Sequence, residues 1–260
     1  MIDSHCHVGI GEEWKTPAMN PKIVLERAHA VGVKEILTVA CDYTDVNDLK
    51  QMLTYQNVLG AFGIHPENAE QFDETHLSDI LDEFPELVAL GEIGLDYFYC
   101  PENRLKQIKV FEKQIEIAAQ RHLPIIIHTR EAEKDTMQIL EAAMQGGLLS
   151  SSGVLHCFTG TSFLAEQALN IGLYVSASGI ITFKKAADLR AIFQTIPNER
   201  LLVETDSPYL APVPYRGKTN EPKYVMETAN VLAEIKKITL TEMDTITTQN
   251  FKKLFQEKKG

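Results

Sequence analysis

Positive charge, paired cysteines and long apolar runs are all scarce in this sequence. Only 25 Lys and Arg stand against 36 Asp and Glu, a formal net charge of −11 over 260 residues. That balance argues against a protein that grips nucleic acid through a broad basic face. It leaves room for a phosphate-bearing substrate, because bound divalent cations carry charge that composition does not count. The four cysteines, Cys6, Cys41, Cys100 and Cys157, make no CxxC pair and no disulfide-like framework. No apolar run reaches the roughly 18 residues of a membrane span. The opening Met1-Ile-Asp-Ser-His5 has neither the charged nor the apolar region of a signal peptide. The expectation is a reduced, cytoplasmic protein with no membrane contact and no obligate protein partner.

Short apolar runs alternate with segments of helical period along the chain. Met1–Ser4, Glu35–Ala40, Val58–Ile64, Val88–Leu95, Pro124–Ile127, Gly153–Leu155, Leu173–Ser176 and Leu201–Glu204 read as buried parallel strands. Helical spacing is clearest over Arg104–Gln120, with Leu105, Ile108, Phe111, Ile115 and Ala118 on one face. It recurs over Pro21–Ala30, Asp45–Tyr55, Ala132–Ala143, Ser162–Asn170 and Ala186–Phe193. A last helical stretch runs from Lys223 to the end and breaks near Leu240, where Thr241 and Asp244 have capping-box spacing. Strands each followed by a helix predict an α/β fold, a (β/α)8 TIM barrel, as a single domain over residues 1–260. A doubly wound sheet would bring a glycine-rich turn after the first strand, and Ser4-His-Cys-His-Val8 has none. The long loop Ser207–Glu221, with Pro208, Pro212 and Pro214, reads as stiff and shaped.

One carboxylate, Glu92, interrupts the fourth apolar run. Buried and ionised, it needs a positive partner. No Lys or Arg lies within ten residues before it, or after it until Arg104. A bound cation is the remaining candidate. The other strand ends agree, with His5-x-His7 at the first, His128 at the fifth, His156 at the sixth and Asp206 at the eighth. In a barrel these ends meet at one mouth. Taken singly, each is more simply a hydrogen-bonded or turn-forming residue; presented together at five strand ends they favour a metal site. Four imidazoles and two carboxylates suffice for two divalent ions, with Glu92 bridging through its two oxygens. Mixed N/O ligation suits Zn, Mn, Fe or Ni, and Mg less well. Such a pair generates a bound hydroxide and clamps both oxygens of an in-line displacement at phosphorus.

Alternation along the strand turns Cys6 away from His5 and His7, and Cys157 away from His156, which marks both as packing residues. His65 ends the third strand at the same rim and is a catalytic candidate toward the phosphate or leaving group. Glu204 lies about 6.6 Å deeper than Asp206 at ~3.3 Å per residue, placed to hold the outer nitrogen of His5 or His7. Asp3 shares their parity and is a candidate to orient an imidazole. Arg130, Lys184, Arg216 and Lys218 are the cations available to a substrate phosphate. Trp14, the one tryptophan, lines the mouth or covers the first loop.

Several stretches carry a family resemblance: Asp3-Ser-His-Cys-His7, Gly63-Ile-His-Pro66, Gly91-Glu-Ile-Gly-Leu-Asp-Tyr97, Leu123-Pro-Ile-Ile-Ile-His-Thr-Arg130 and His156-Cys-Phe-Thr-Gly160. Leu202-Val-Glu-Thr-Asp-Ser-Pro-Tyr-Leu-Ala-Pro212, Arg216-Gly-Lys-x-Asn-Glu-Pro222 and Thr248-x-Asn-Phe251 complete the set. In this order, over nearly the full length, the chain resembles the TatD family of metal-dependent deoxyribonucleases among the amidohydrolase-like barrels. The resemblance implies a TIM-like barrel and a hydrolase with two divalent metal ions. It implies one metal on His5, His7 and Asp206, the other on His128 and His156, and Glu92 shared. It also implies 3′→5′ exonuclease action at DNA ends, single strands favoured. Val8-Gly9 stands where many members have Leu-Asp, and His65-Pro-Glu67 where some have His-Pro-His. Two other functions use the same residues: hydrolysis of an amide, lactone or aminoacyl-tRNA ester, and a non-catalytic metal-binding scaffold. Related barrels with carbonyl chemistry often place a carboxylated lysine where this chain has Glu92.

Overall fold

The computed structural model describes residues 1–149 and 152–257. Its strands are β1 (Ile2–Cys6), β2 (Glu35–Ala40), β3 (Val58–Phe62), β4 (Ala89–Asp96), β5 (Ile125–Arg130), β6 (Gly153–Leu155), β7 (Tyr174–Ala177) and β8 (Leu201–Val203). Each pairs in parallel with the next, in sequence order. Between them run α1 (Pro21–Ala30), α2 (Val46–Met52), α3 (Glu74–Glu83), α4 (Arg104–Gln120), α5 (Glu133–Gln145), α6 (Ser162–Asn170) and α7 (Ala187–Thr195). After β8 come α8 (Val225–Lys236) and α9 (Leu240–Phe255). The architecture is the expected (β/α)8 barrel. None of the described helices is long and apolar enough to cross a membrane.

Two apolar clusters hold it together. The larger lies mainly between sheet and helices and includes Phe62, Phe111, Phe193 and Trp14. The smaller takes residues from all eight strands, among them Ile2, Leu37, Ala61, Ala89, Ile126, Val154, Tyr174 and Leu202, so it is the barrel interior. Phe251, Leu254 and Phe255 of α9 close it from below, near the strand starts. The lower barrel is thus a dry plug, and polar chemistry is left to the upper end.

The barrel closes just above β8. The Asp206 N–H donates to the His5 carbonyl (3.0 Å) and the His7 N–H to the Ser207 carbonyl (2.7 Å). Below them the Asp3 carboxylate accepts from the Thr205 N–H (2.8 Å) and hydroxyl (2.5 Å). The β1–β8 seam is therefore made by the segments that carry His5, His7 and Asp206.

Some local expectations are corrected. The helical spacing read from the sequence omits α3; the Asp73 side chain caps this helix by accepting from the His76 N–H (2.9 Å), and Leu77, Ile80 and Leu81 are buried. On α4 the buried face is rotated: Leu105 is 77% exposed while Gln107 and Gln114 are fully buried. The capping box at the last helix is Thr239 with Glu242, two residues before the expected pair. The end of the last helical stretch, residues 258–260, lies outside the described residues. Trp14 is buried in the core and does not line the mouth.

Candidate metal centre

Local backbone chemistry turns the strand ends inward. The β4–β5 register shifts between Gly91 and Ile93, so Glu92 steps out of the ladder. At Gly94, with φ +143°, a Cβ would lie 1.9 Å from the His128 carbonyl oxygen. Only glycine lets β5 bring His128 so close. The two buried glutamines of α4 brace the neighbouring ends. Gln107 accepts from the Asp96 N–H (2.8 Å) and donates to the Asp96 and Cys100 carbonyls (2.9 Å each). Gln114 accepts from the Ile64 N–H (2.8 Å) and donates to the Ile64 carbonyl (3.0 Å), which fixes the chain just before His65.

The side chains sort around the two oxygens of Glu92. Oε1 lies 2.6 Å from His156 Nε2, 2.9 Å from His128 Nδ1 and 3.5 Å from His65 Nε2. Oε2 faces His5 Nε2 at 3.4 Å, Cys41 Sγ at 3.8 Å and His7 Nε2 at 3.9 Å. Asp206 Oδ1 sits above the second group, 3.5 Å from His7 Nε2 and 3.8 Å from His5 Nε2. Asp96 Oδ2 takes the other nitrogen of His128 at 2.9 Å. Among the described residues, four groups of three donors could each hold a cation: His5–His7–Asp206, His5–Glu92–His156, His7–Cys41–Glu92 and His65–Glu92–His128.

The protonation chemistry fits cations at these places. His7 Nδ1 lies 2.8 Å from the Val39 carbonyl, which can only accept, so Nδ1 carries a proton. In neutral His7 the Nε2 lone pair then points at carboxylate oxygens of Asp206 and Glu92, an arrangement that needs a proton or a metal ion between them. His128 likewise has a carboxylate at each ring nitrogen. His65 differs: its Nδ1 accepts from the Glu67 N–H (3.2 Å), which leaves Nε2–H as a donor.

Burial and neighbouring charge set the ionisation states. Burial alone would raise Glu92, but His156, His128 and His5 hold it well below the ordinary carboxylate range. His156 is pushed well above its usual value: burial opposes, and Glu92 and Glu204 overcome it. His7 is also raised well above, against burial, by Asp206 and Cys41. His128 rises, against burial, through Asp96 and Glu92. His5 is lowered by burial and by the charge on His156. Burial drives His65 down to about 3, with Glu92 opposing and His128 and His156 assisting. Asp206 is lowered despite burial by His7 and His5.

The expected donors, His5, His7, Glu92, His128, His156 and Asp206, all converge, with His65 among them. The supporting carboxylates stand elsewhere than expected. Glu204 touches neither His5 nor His7. Its Oε1 accepts from the Cys157 N–H (2.7 Å) and lies 3.4 Å from His156 Nδ1, an ion-pair separation without hydrogen-bond geometry. Past β8 the chain leaves strand geometry, with Asp206 at φ +56°, so parity misplaced the partner. Asp3 braces Thr205 and no imidazole side chain. Arg130, Arg216 and Lys218 are exposed and do not touch the cluster. Arg130 stacks on Phe98 (4.1 Å) and Tyr99 (4.5 Å), and Arg216 on Phe183 (3.8 Å); Lys218 lies 5.9 Å from the Tyr215 ring centre. Asp96 and Cys41 also lie in this cluster, against His128 and Glu92, and are absent from the donors expected from the sequence. The signal was there: each closes an apolar strand run and offers a metal-competent side chain.

A family model described as "TatD related DNase" matches residues 2–256. The chain is 40% identical over 257 residues to the metal-dependent hydrolase YcfH of Escherichia coli (strain K12), covering 98% of this chain and 95% of that one. It is 38% identical over 259 residues to the metal-dependent hydrolase YabD of Bacillus subtilis (strain 168), with coverage of 98% and 99%. Among solved structures, the TatD homolog YJJV of Escherichia coli K12 superposes with a TM-score of 0.87 at 28% identity, over 98% of both chains. The hydrolase TatD family protein of Entamoeba histolytica, at 23% identity and TM-score 0.83, covering 98% of this chain and 97% of that one, shares the fold.

Proposed function

The chain belongs to the TatD-related DNase family, and from that premise we propose that it is a divalent-metal-dependent phosphodiesterase removing nucleotides from the 3′ end of DNA, single strands preferred. The observation that carries the reading is Glu92, whose two oxygens each face a separate set of imidazoles. Two divalent cations held there would supply Lewis acidity at phosphorus and lower the pKa of water. His5, His7 and Asp206 would hold one ion, His128 and His156 the other, and Glu92 would contribute to both.

The remaining work falls to the chain's own groups. Asp206 is ionised at neutral pH and sits at the rim, so it orients the attacking water and accepts its proton. His65 stays neutral and presents Nε2–H, suited to donate a hydrogen bond to a phosphate or leaving-group oxygen. Arg130, Arg216 and Lys218 are exposed cations in a chain of net charge −11, available to the phosphates of a bound strand. Phe98 (49% exposed) and Tyr99 (56% exposed) follow Asp96, and Asp96 Oδ1 accepts from both their N–H groups (2.9 and 2.7 Å). They offer unpaired bases a stacking surface tied to the centre, which favours single-stranded ends.

The test is digestion of end-labelled single- and double-stranded DNA by metal-reconstituted protein, beside a panel of esters, lactones and amides. Progressive shortening from the 3′ end, abolished by EDTA and restored by metal, is expected. Turnover of the carbonyl panel without cleavage of any phosphodiester would overturn the reading.

A further inference from the structure

Of the four cysteines, only Cys41 turns its sulfur to the histidine cluster. Cys6 Sγ points to the Leu37 carbonyl (3.4 Å) and Cys157 Sγ to the Ser178 hydroxyl (3.3 Å), while Cys100 lies in the loop after β4. Cys41 follows β2 at the barrel mouth, and its backbone is held from three directions. Its N–H donates to Asp45 Oδ2 (3.2 Å), and its carbonyl accepts from the His65 N–H (3.2 Å) and Asn68 Nδ2 (3.3 Å). The thiol direction is therefore set by the fold. It forms a three-donor group with His7 and Glu92, all within 4.8 Å of one another.

A second observation concerns Glu92. Its Oε1 has two imidazole nitrogens within 2.9 Å, but its Oε2 has no nitrogen closer than 3.4 Å, although the residue is only 4% exposed. The contact with hydrogen-bond geometry at Oε2 is the Cys41 thiol at 3.8 Å, a weak donor for a buried carboxylate oxygen. Around the same gap the His5 and His7 Nε2 atoms face each other at 3.4 Å. Nitrogen, oxygen and sulfur thus converge on a space that a cation would satisfy.

We propose that Cys41 supplies a sulfur donor to the cation held on the Oε2 side of Glu92, beside His7, and that this donor makes the centre select zinc, iron or cobalt over magnesium and manganese. On coordination the S–H bond is replaced by a sulfur–metal bond and the proton passes to solvent, with nothing oxidised or reduced. Thiolate is a soft ligand that suits zinc and iron, whereas magnesium and manganese favour oxygen. The assignment rests on the cation centre and not on any substrate.

The full-length protein is stripped of metal and titrated with Co2+ while the near-ultraviolet spectrum is followed. Wild type should gain a sulfur-to-cobalt charge-transfer band that Cys41→Ser lacks, with the visible cobalt bands kept. In competition titrations Cys41→Ser should lose zinc affinity by about tenfold or more, the scale on which supporting groups act, with manganese affinity unchanged. Absence of the band in wild type overturns the proposal whether or not the variant folds. So does an equal loss of zinc and manganese in Cys41→Ser, which would mark Cys41 as packing. Should that variant misfold, alkylation of wild type mapped by mass spectrometry decides: zinc must protect Cys41 while Mn2+ at saturation does not. Equal protection by the two ions refutes the sulfur contact. None of these readouts depends on DNA hydrolysis, so they succeed or fail apart from the phosphodiesterase reading.

Discussion

Replacing Glu204 by Gln tests how the centre is supported from below. The residue is fully buried, and Oε1 accepts from the Cys157 N–H while lying 3.4 Å from His156 Nδ1. Its Oε2 is buried without a partner. Glutamine keeps the shape, and its amide oxygen can still accept from Cys157, so the backbone bond survives and only the charge facing His156 is lost. Loss of the carboxylate behind a ligating imidazole typically lowers metal affinity about 10–100-fold, which is about 1.4–2.7 kcal/mol at ~1.36 kcal/mol per tenfold. Metal-free stability should change less, since the Cys157 bond is retained. Glu204→Leu also leaves the Cys157 N–H unpaired, which adds about 1–3 kcal/mol of destabilisation. The assay is zinc competition against a chromophoric chelator, paired with thermal melts of metal-free protein. Wild-type zinc affinity in the glutamine variant, with destabilisation confined to the leucine variant, would show that Glu204 serves only as a backbone acceptor.

Glu92→Ala should abolish metal retention and hydrolysis while the barrel stays folded; retention of more than a few per cent of activity, or a full metal complement, would refute the bridging role. Metal affinity should fall on acidification, and the fall should begin above the ordinary imidazole value of ~6.5. The sign follows from His7, His128 and His156: all are raised in the metal-free protein, so each holds a proton that the metal must displace. Affinity therefore climbs with pH through that range, and proton release measured by calorimetry in buffers of different ionisation enthalpy checks it; a flat profile down to about pH 5 contradicts the histidine set. Alanine at both Arg216 and Lys218 should raise KM for DNA and shallow its salt dependence at unchanged metal content; an unaltered salt series would make them bystanders.

Much of this protein was legible in one dimension, because two periodicities carry it. Apolar runs at regular spacing mark parallel strands buried on both faces, and α1, α4 and α6 match their predicted bounds to the residue. His5, His7, His128 and Asp206 were readable because a parallel barrel brings the upper strand ends together whatever the details of packing. Glu92 was readable because a lone carboxylate in an apolar strand demands a counter-charge.

Tertiary structure decided which groups meet. The gathering of Glu204 under His156, Asp96 behind His128 and Cys41 opposite Glu92 Oε2 depends on the ladder shift at Glu92, the close approach at Gly94 and the left-handed turn at Asp206. Alternation along a strand gives the face of a residue but not the depth or rotation of its neighbour on the next strand. It also fails where the chain bulges or leaves the ladder, which in this barrel happens at the metal-competent residues themselves. Helix α4 makes the same point: its period was right, yet Gln107 and Gln114 are buried because strand ends above them need donors and acceptors, and Leu105 is left in solvent. Sequence order determines that the groups reach one mouth, and only the packed barrel determines their distances, and with those their charge states and the cations they suit.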